Sequence, residues 1–331
     1  MNLPKIGFTL GDPGGVGPEI VFDAIVKNLS NNQFISVVYG PKSLLDNVLW
    51  SPLVSLMRIN LCKDLTYAQE GCINFVDCGE YKGEIVRNAC AKNGQISFEC
   101  ILKAVSDAKA TLLEAIVTGP ICKESFLLAG LDFTGHTTLL KGLTESENVS
   151  MGFYTERLKT VLATVHIPLS EVPKAITQTC LDNAFENCLN FSSNLNIKDP
   201  VIAVAALNPH ASEKGMFGHE ERTIIKPTIV KWNNNGHRIF GPIPADTLYH
   251  RAYKGEFDFV ISLYHDQGLI PIKLLNFHDA VNVTLGLPFI RTSPDHGTAF
   301  DISYQGKANS GSLQAALKLA LKLSNVVCHT S

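Results

Sequence analysis

The sequence predicts an α/β fold built on a largely parallel sheet. Short apolar runs rich in Val, Ile or Phe recur along the chain, and their near-continuous apolar character suits strands buried on both faces. Amphipathic helical patterns lie between several of them, and such alternation is the signature of parallel strands joined by crossover helices. Hydrophobic residues make up 45% of the 331 residues and charged residues 18%, which suits a substantial core.

The strand candidates, in order, are residues 5–10 (KIGFTL), 34–40 (FISVVYG), 114–120 (EAIVTGP), 160–168 (TVLATVHIP), 201–209 (VIAVAALNP), 258–265 (DFVISLYH) and 280–287 (AVNVTLGL). Residues 18–29 form a helical pattern with Ile20, Ala24 and Ile25 on one side and Pro18 suited to the first turn. Residues 310–324 form another, with Ser310 or Ser312 as a possible cap. No internal repeat, low-complexity linker or charge block marks a domain border. Net charge is −3 and no Lys/Arg block occurs, which argues against a nucleic-acid surface. The N-terminus lacks a basic segment followed by an apolar region, and no apolar run is long enough to span a bilayer. The expectation is a soluble, cytoplasmic protein. Nine cysteines without C-x-x-C spacing suggest reduced, mostly buried thiols rather than disulfides or a zinc ribbon.

Residues 10–20, LGDPGGVGPEI, raise the question of nucleotide binding. Gly17 is followed by Pro18 and Glu19, so the Gly-Lys-Ser/Thr of a P-loop is absent. Gly15 and Gly17 supply half of a G-x-G-x-x-G fingerprint, but Ile20 stands where the third glycine belongs. A plain strand-to-helix connection is favoured over an anion-binding turn.

The histidines carry a sharper signal. His166, His210 and His265 each follow an apolar strand-like run. In a parallel α/β sheet the carboxyl ends of the strands open on one side, where ligands bind. Three imidazoles there would suit a catalytic metal with open positions, against the alternative that each caps its strand separately. His219, His237, His250, His278 and His329 show no such pattern. Elsewhere His136 and Thr137 follow a glycine in LDFTGHTT, and Lys273, Asn282 and Arg291 lie on or beside strand-like runs. They are succeeded by a polar loop with Ser293, Asp295, His296 and Gly297. Lys and Arg together with Thr and His suit a phosphate or carboxylate substrate.

The segments GDPGGVGPEI, TGPICKESFLLAG, FTGHT, ATVHIPL, ALNPHASEKGMFGHEE, GPIPADTL, YHDQGLIPIK and LPFIRTSPDHGTAFDI, in this order from residue 7 to about residue 302, resemble the 4-hydroxythreonine-4-phosphate dehydrogenase family of pyridoxal phosphate biosynthesis. The resemblance implies two α/β/α domains flanking a cleft, as in isocitrate and isopropylmalate dehydrogenases, with NAD bound without a Rossmann fingerprint. By analogy the termini come together as one domain, residues 1–120 plus 266–331, and residues 121–265 form the other. It implies a metal on His166, His210 and His265, and substrate contacts from His136, Thr137, Lys273, Asn282 and Arg291. It further implies a homodimer with the site at the interface. The family usually has Glu after GHT, whereas this chain has Thr138.

The activity so implied is oxidation of 4-phosphooxy-L-threonine by NAD or NADP to 2-amino-3-oxo-4-phosphooxybutanoate, which decarboxylates to 3-amino-2-oxopropyl phosphate. A divalent metal would act on the C3 hydroxyl as a Lewis acid. Zinc, cobalt and magnesium all occur in the family; three imidazoles favour zinc or cobalt on ligand softness. Asp246 and Asp266 are candidates for the general base or for orienting a ligand, against a plain loop role. The rival readings are the same chemistry on 4-phosphoerythronate, 4-phosphothreonate or an aromatic cis-diol, an acyl transferase related to phosphate acetyltransferases, and a non-catalytic binding protein.

Overall fold

The computed structural model describes residues 3–29, 33–55, 57–277 and 279–330; His278 lies outside the described residues, as does the side chain of His329. The chain divides into two compact units, Met1–Ser146 with Leu287–Ser331, and Glu147–Gly286. The borders expected from sequence, at 120 and 265, assign residues 121–146 and 266–286 differently. The helices within residues 121–146 pack on a long helix of the first unit, while residues 266–286 pack on and pair with strands of the second.

The first unit holds strands β1 (Lys5–Thr9), β2 (Ile35–Gly40), β3 (Ile59–Leu61), β4 (Ile73–Asp77), β5 (Ala115–Thr118) and the chain's last strand, β12 (Ile290–Pro294). They form an all-parallel array in the order β3-β4-β2-β1-β5-β12. Every residue of β2 and β5 is buried, as a sheet covered on both faces requires. The helices are α1 (Gly17–Leu29), α2 (Ser51–Val54), α3 (Ala91–Lys109), α4 (Lys123–Leu128), α5 (His136–Thr144) and α11 (Gly311–Thr330). Pro18 sits in the first turn of α1, where its missing N–H costs nothing. Ser310 precedes α11; its carbonyl accepts the Gln314 N–H, and its hydroxyl goes to Asp23 of α1. Trp50, wholly buried, packs edge-on against Phe22 with ring centroids 5.9 Å apart.

The second unit holds β6 (Ser150–Tyr154), β7 (Lys159–Leu162), β8 (Val201–Ala205), β9 (Arg238–Ile243), β10 (Phe259–Ser262) and β11 (Val281–Leu285), ordered β11-β6-β7-β10-β8-β9. Strands β7, β10, β8 and β9 run parallel, but β6 is antiparallel to both β7 and β11. Only residues 155–158 join β6 to β7, too few for a parallel crossover, and Thr155 and Leu158 close the turn on each other. The helices are α6 (Val172–Ala175), α7 (Gln178–Asn194), α8 (Lys226–Asn234), α9 (Ala245–Tyr253) and α10 (His265–Asn276). Phe153, Leu162, Ala203, Leu248, Val260 and Ile272 belong to one buried apolar cluster. The eight described cysteines are unpaired thiols. No helix among the described residues is long and apolar enough to cross a membrane.

Candidate active site

The glycine-rich loop is packed against protein rather than opened to a ligand. Residues 11–20 are all buried. A Cβ on Gly14 would fall 2.0 Å from the Val86 carbonyl oxygen, and one on Gly15 2.7 Å from that of Thr298. The loop's N–H groups serve protein acceptors: Asp12 to Pro120 O, Gly15 to Asp12 O and Val16 to Thr298 O. Asp12 is fully buried, accepting from Ser125 Oγ at 2.8 Å and Gly14 N at 2.9 Å. Burial pushes its carboxyl up from 3.8 to about 6, although the hydrogen bonds from Ser125, Gly14 and Asn93 pull the other way. The loop is a structural connection that fixes the start of α4 through Ser125.

Within the same unit, cationic and donor groups gather near α5. Arg291, 2% exposed on β12, directs Nε and Nη2 to Thr118 Oγ1 at the carboxyl end of β5, at 3.2 and 2.6 Å. Burial lowers its guanidinium to about 9, still charged at neutral pH. His136 opens α5; burial first, then the Arg291 charge, hold its imidazole well below 6.5, so the ring is neutral. Its Nε2 is buried without a hydrogen-bond partner. Gly135 supplies no side-chain cap, and Leu139 N donates to Gly135 O at the start of α5. The N–H groups of His136, Thr137 and Thr138 thus begin the helix as its positive end. The Lys123 side chain runs past Gly135, its Cε 3.6 Å from where a Cβ would stand. A cation at a helix N-terminus is unfavourable by itself and suits a shared anion. Thr138 donates its hydroxyl to Gly135 O at 3.0 Å.

In the second unit the three candidate histidines follow the adjacent strands β7, β10 and β8. The segments after β7 and β10 are tied together: Ala163 N donates to Ser262 O, and Thr164 donates through both N and Oγ1 to Leu263 O. This brings the His166 and His265 rings to 5.6 Å between centroids at 42°. Asp266 Oδ1 lies 2.7 Å from His265 Nδ1. A carboxylate there fixes Nδ1 as the protonated nitrogen and leaves Nε2 as a ligand atom. His210 does not join them: among the described residues no group of three or more His, Cys, Asp or Glu is placed to hold a metal ion. The reason is local. Residues 210–214 all have φ between 43° and 65°, a left-handed turn that carries His210 exposed and 6.4 Å from the Phe217 ring. Each such residue costs about 1–2 kcal/mol. The two imidazoles that do meet, one oriented by a carboxylate, fit part of a metal's ligand shell.

The remaining candidates occupy separate positions. Asp246 is exposed in the first turn of α9. Lys273, on α10, places its ammonium 5.2 Å from the Phe277 ring centroid. Asn282 lies on β11 opposite Phe153 of β6. Sequence reasoning passed over Thr118, Lys123, Asp12 and Ser125. Thr118 had a legible signal, a polar residue ending a buried strand; Lys123 had none before α4 and α5 were placed.

A model of the family described as pyridoxal phosphate biosynthetic protein PdxA matches residues 32–320. The chain belongs to this family. Among PdxA relatives, the D-threonate 4-phosphate dehydrogenase of Pectobacterium atrosepticum is 39% identical over 327 residues, covering 96% of this chain and 99% of that protein. The 4-hydroxythreonine-4-phosphate dehydrogenase of Desulforapulum autotrophicum is 39% identical over 328 residues, covering 96% and 95%. The crystal structure of 4-hydroxythreonine-4-phosphate dehydrogenase from Klebsiella pneumoniae superposes with a TM-score of 0.87 at 35% identity, over 98% of this chain and 99% of that one. This PdxA chain therefore has the mixed α/β dehydrogenase fold and is an oxidoreductase, a dehydrogenase, which implies a nicotinamide cofactor. A branched-chain phosphotransacylase from Enterococcus faecalis, at 15% identity and a TM-score of 0.55, shares the fold alone.

Proposed function

We propose that the protein oxidises 4-phosphooxy-L-threonine at C3 with NAD or NADP, giving 2-amino-3-oxo-4-phosphooxybutanoate. This β-keto acid then loses CO₂ to give 3-amino-2-oxopropyl phosphate. The observation that carries the reading is the His166–His265 pair beyond two adjacent parallel strands, in a chain whose full-length relatives include dehydrogenases named for this substrate. Arg291, held by Thr118, offers a charged fork to the substrate's phosphate or carboxylate. Neutral His136 offers its buried Nε2, and Thr137 and the positive end of α5 add donors, with Lys123 alongside. Lys273 and Asn282 are the further candidate substrate contacts. The contact between Asp266 and His265 supports an orienting role for Asp266, with Asp246 as the candidate base for the C3 hydroxyl proton.

His166 and His265 would hold a divalent cation, zinc or cobalt in preference to magnesium, with His210 as the third ligand. When bound, such an ion supplies Lewis-acid polarisation of the C3 oxygen. Since one chain does not bring His210 to the other two, the reading places His210 of a second copy in each site, making the enzyme a homodimer. Ile270, Leu274 and Phe277 support this: they recur at helical spacing along α10 and its end, yet are 64%, 82% and 65% exposed.

A second reading, oxidation of D-threonate 4-phosphate by the same residues, is favoured by Thr138. A carboxylate there would attract the amino acid's ammonium, and the Thr138 hydroxyl is spent on Gly135 O. Relatives named for that substrate match at 38–39% identity. The test is NAD(P)H formation by metal-loaded protein on both substrates, with and without chelator. Turnover of the amino acid that chelator abolishes supports the first reading. Preference for D-threonate 4-phosphate supports the second, and no reduction of either nucleotide with either substrate refutes both.

A further inference from the structure

We infer that Asn208 and Glu221 are positioning residues for His210. They form a clasp that closes the loop between them and presents the imidazole in its left-handed turn. This rests on the proposed metal role of His210.

The loop from 208 to 221 is pinned at its two ends. At one, Asn208 donates through its backbone N to Glu221 Oε1 at 2.6 Å and through Nδ2 to Glu221 Oε2 at 2.9 Å. The same Nδ2 reaches Glu220 Oε2 at 2.8 Å, which also accepts from His219 N at 3.0 Å. Glu221 is 3% exposed, so both its oxygens are committed to one asparagine inside the protein. A buried carboxylate is retained only where such donors compensate its lost hydration. Gly218, at φ +140°, lets the returning chain pass so close to Asn208 that a Cβ would stand 2.5 Å from Nδ2.

Between these ends most side chains face solvent. His210, Glu213, Lys214, Met216 and Phe217 are exposed, and Ser212 alone among residues 210–214 is buried. The turn itself is closed by Met216 N to Glu213 O and Phe217 N to Ser212 O. Non-glycine residues relax out of the left-handed region unless their surroundings over-determine it. The clasp supplies that constraint two residues from His210. The carboxylate does not touch the imidazole; it acts by fixing the backbone from which the imidazole projects.

The test is cobalt(II) titration of the full-length protein, read by calorimetry and by the visible spectrum of the bound ion. Asn208→Ala and the near-isosteric Glu221→Gln should each weaken cobalt about 10- to 100-fold, as loss of groups supporting a metal ligand commonly does. Glu213→Gln, on the exposed side of the turn, should not. The deciding readout is the cycle with His210→Ala: if the clasp acts through His210, Asn208→Ala adds no further loss in that background. Unchanged affinity in the clasp variants, or losses that add fully to that of His210→Ala, would overturn the inference. If Asn208→Ala does not fold, Glu221→Gln carries the same cycle. Failure of wild-type protein to bind cobalt would instead remove the metal reading, and the inference with it.

Discussion

The buried Asp12 carboxyl should make the first unit less stable as pH rises from about 4 to about 6. Its folded-state value, about 6, exceeds the ordinary 3.8, so the folded protein holds this proton more tightly than the unfolded chain. The resulting stability is complete below about 4, falls as pH rises through 6, and is flat above. A displacement of about two pH units corresponds to about 3 kcal/mol, and full burial leaves no solvent screening to discount it. Asp12→Asn removes the titration while keeping the side chain's size. Urea unfolding of wild type and variant at closely spaced pH values isolates the effect, because every other ionisable group is common to both. The chain has two tryptophans, Trp50 in the first unit and Trp232 in the second, so a Trp232→Phe background lets Trp50 emission report the first unit. The variant should gain about 3 kcal/mol on wild type between pH 4 and 7, whatever constant difference the lost hydrogen bonds add. A difference that does not change across this window would refute a buried, proton-retaining Asp12.

Three other outcomes are expected. Mixing inactive His210→Ala with inactive His166→Ala after joint refolding should restore about a quarter of wild-type activity if each site takes ligands from both copies, since half of random dimers would be mixed and each would hold one intact site; ligands drawn from one chain would restore none. Arg291→Lys should raise KM for a phosphorylated substrate about tenfold or more, because a single ammonium cannot reproduce the fork that Thr118 orients, and steady-state kinetics checks this. Gly14→Ala should cost about 1–3 kcal/mol or more in thermal unfolding, since its Cβ meets the Val86 carbonyl oxygen at 2.0 Å.

The seven apolar runs read from sequence all contain strands, because a strand covered on both faces must be apolar throughout. Strands β3, β4, β6, β9 and β12 escaped notice, β9 and β12 for the converse reason. Arg291, Thr292 and Ser293 make β12 polar, and Arg238 and Gly241 interrupt β9. The antiparallel β6–β7 hairpin was illegible because Met151 to Tyr154 show no alternation. His166 and His265 were legible as neighbours because strand ends share one side of a sheet. The path of His210 was not, since five consecutive left-handed residues that include no glycine leave no trace in propensity. The Asn208–Glu221 clasp, likewise, depends on a buried charge that sequence alone reads as a solvated loop.

The order of strands has a consequence for synthesis on the ribosome. Strand β12 lies beside β5 in the first unit, yet β5 ends at Thr118 and β12 begins at Ile290. At about 5–20 residues per second, β5 waits on the order of 10–30 s for the neighbour that covers its edge. During that interval the nascent chain exposes an apolar parallel edge, which is the kind of surface that recruits chaperones or pairs with other chains. The second unit, contiguous in sequence, can finish folding first. A truncated chain ending before Ile290, free of the ribosome, should therefore show a protease-resistant second unit attached to a sensitive first one.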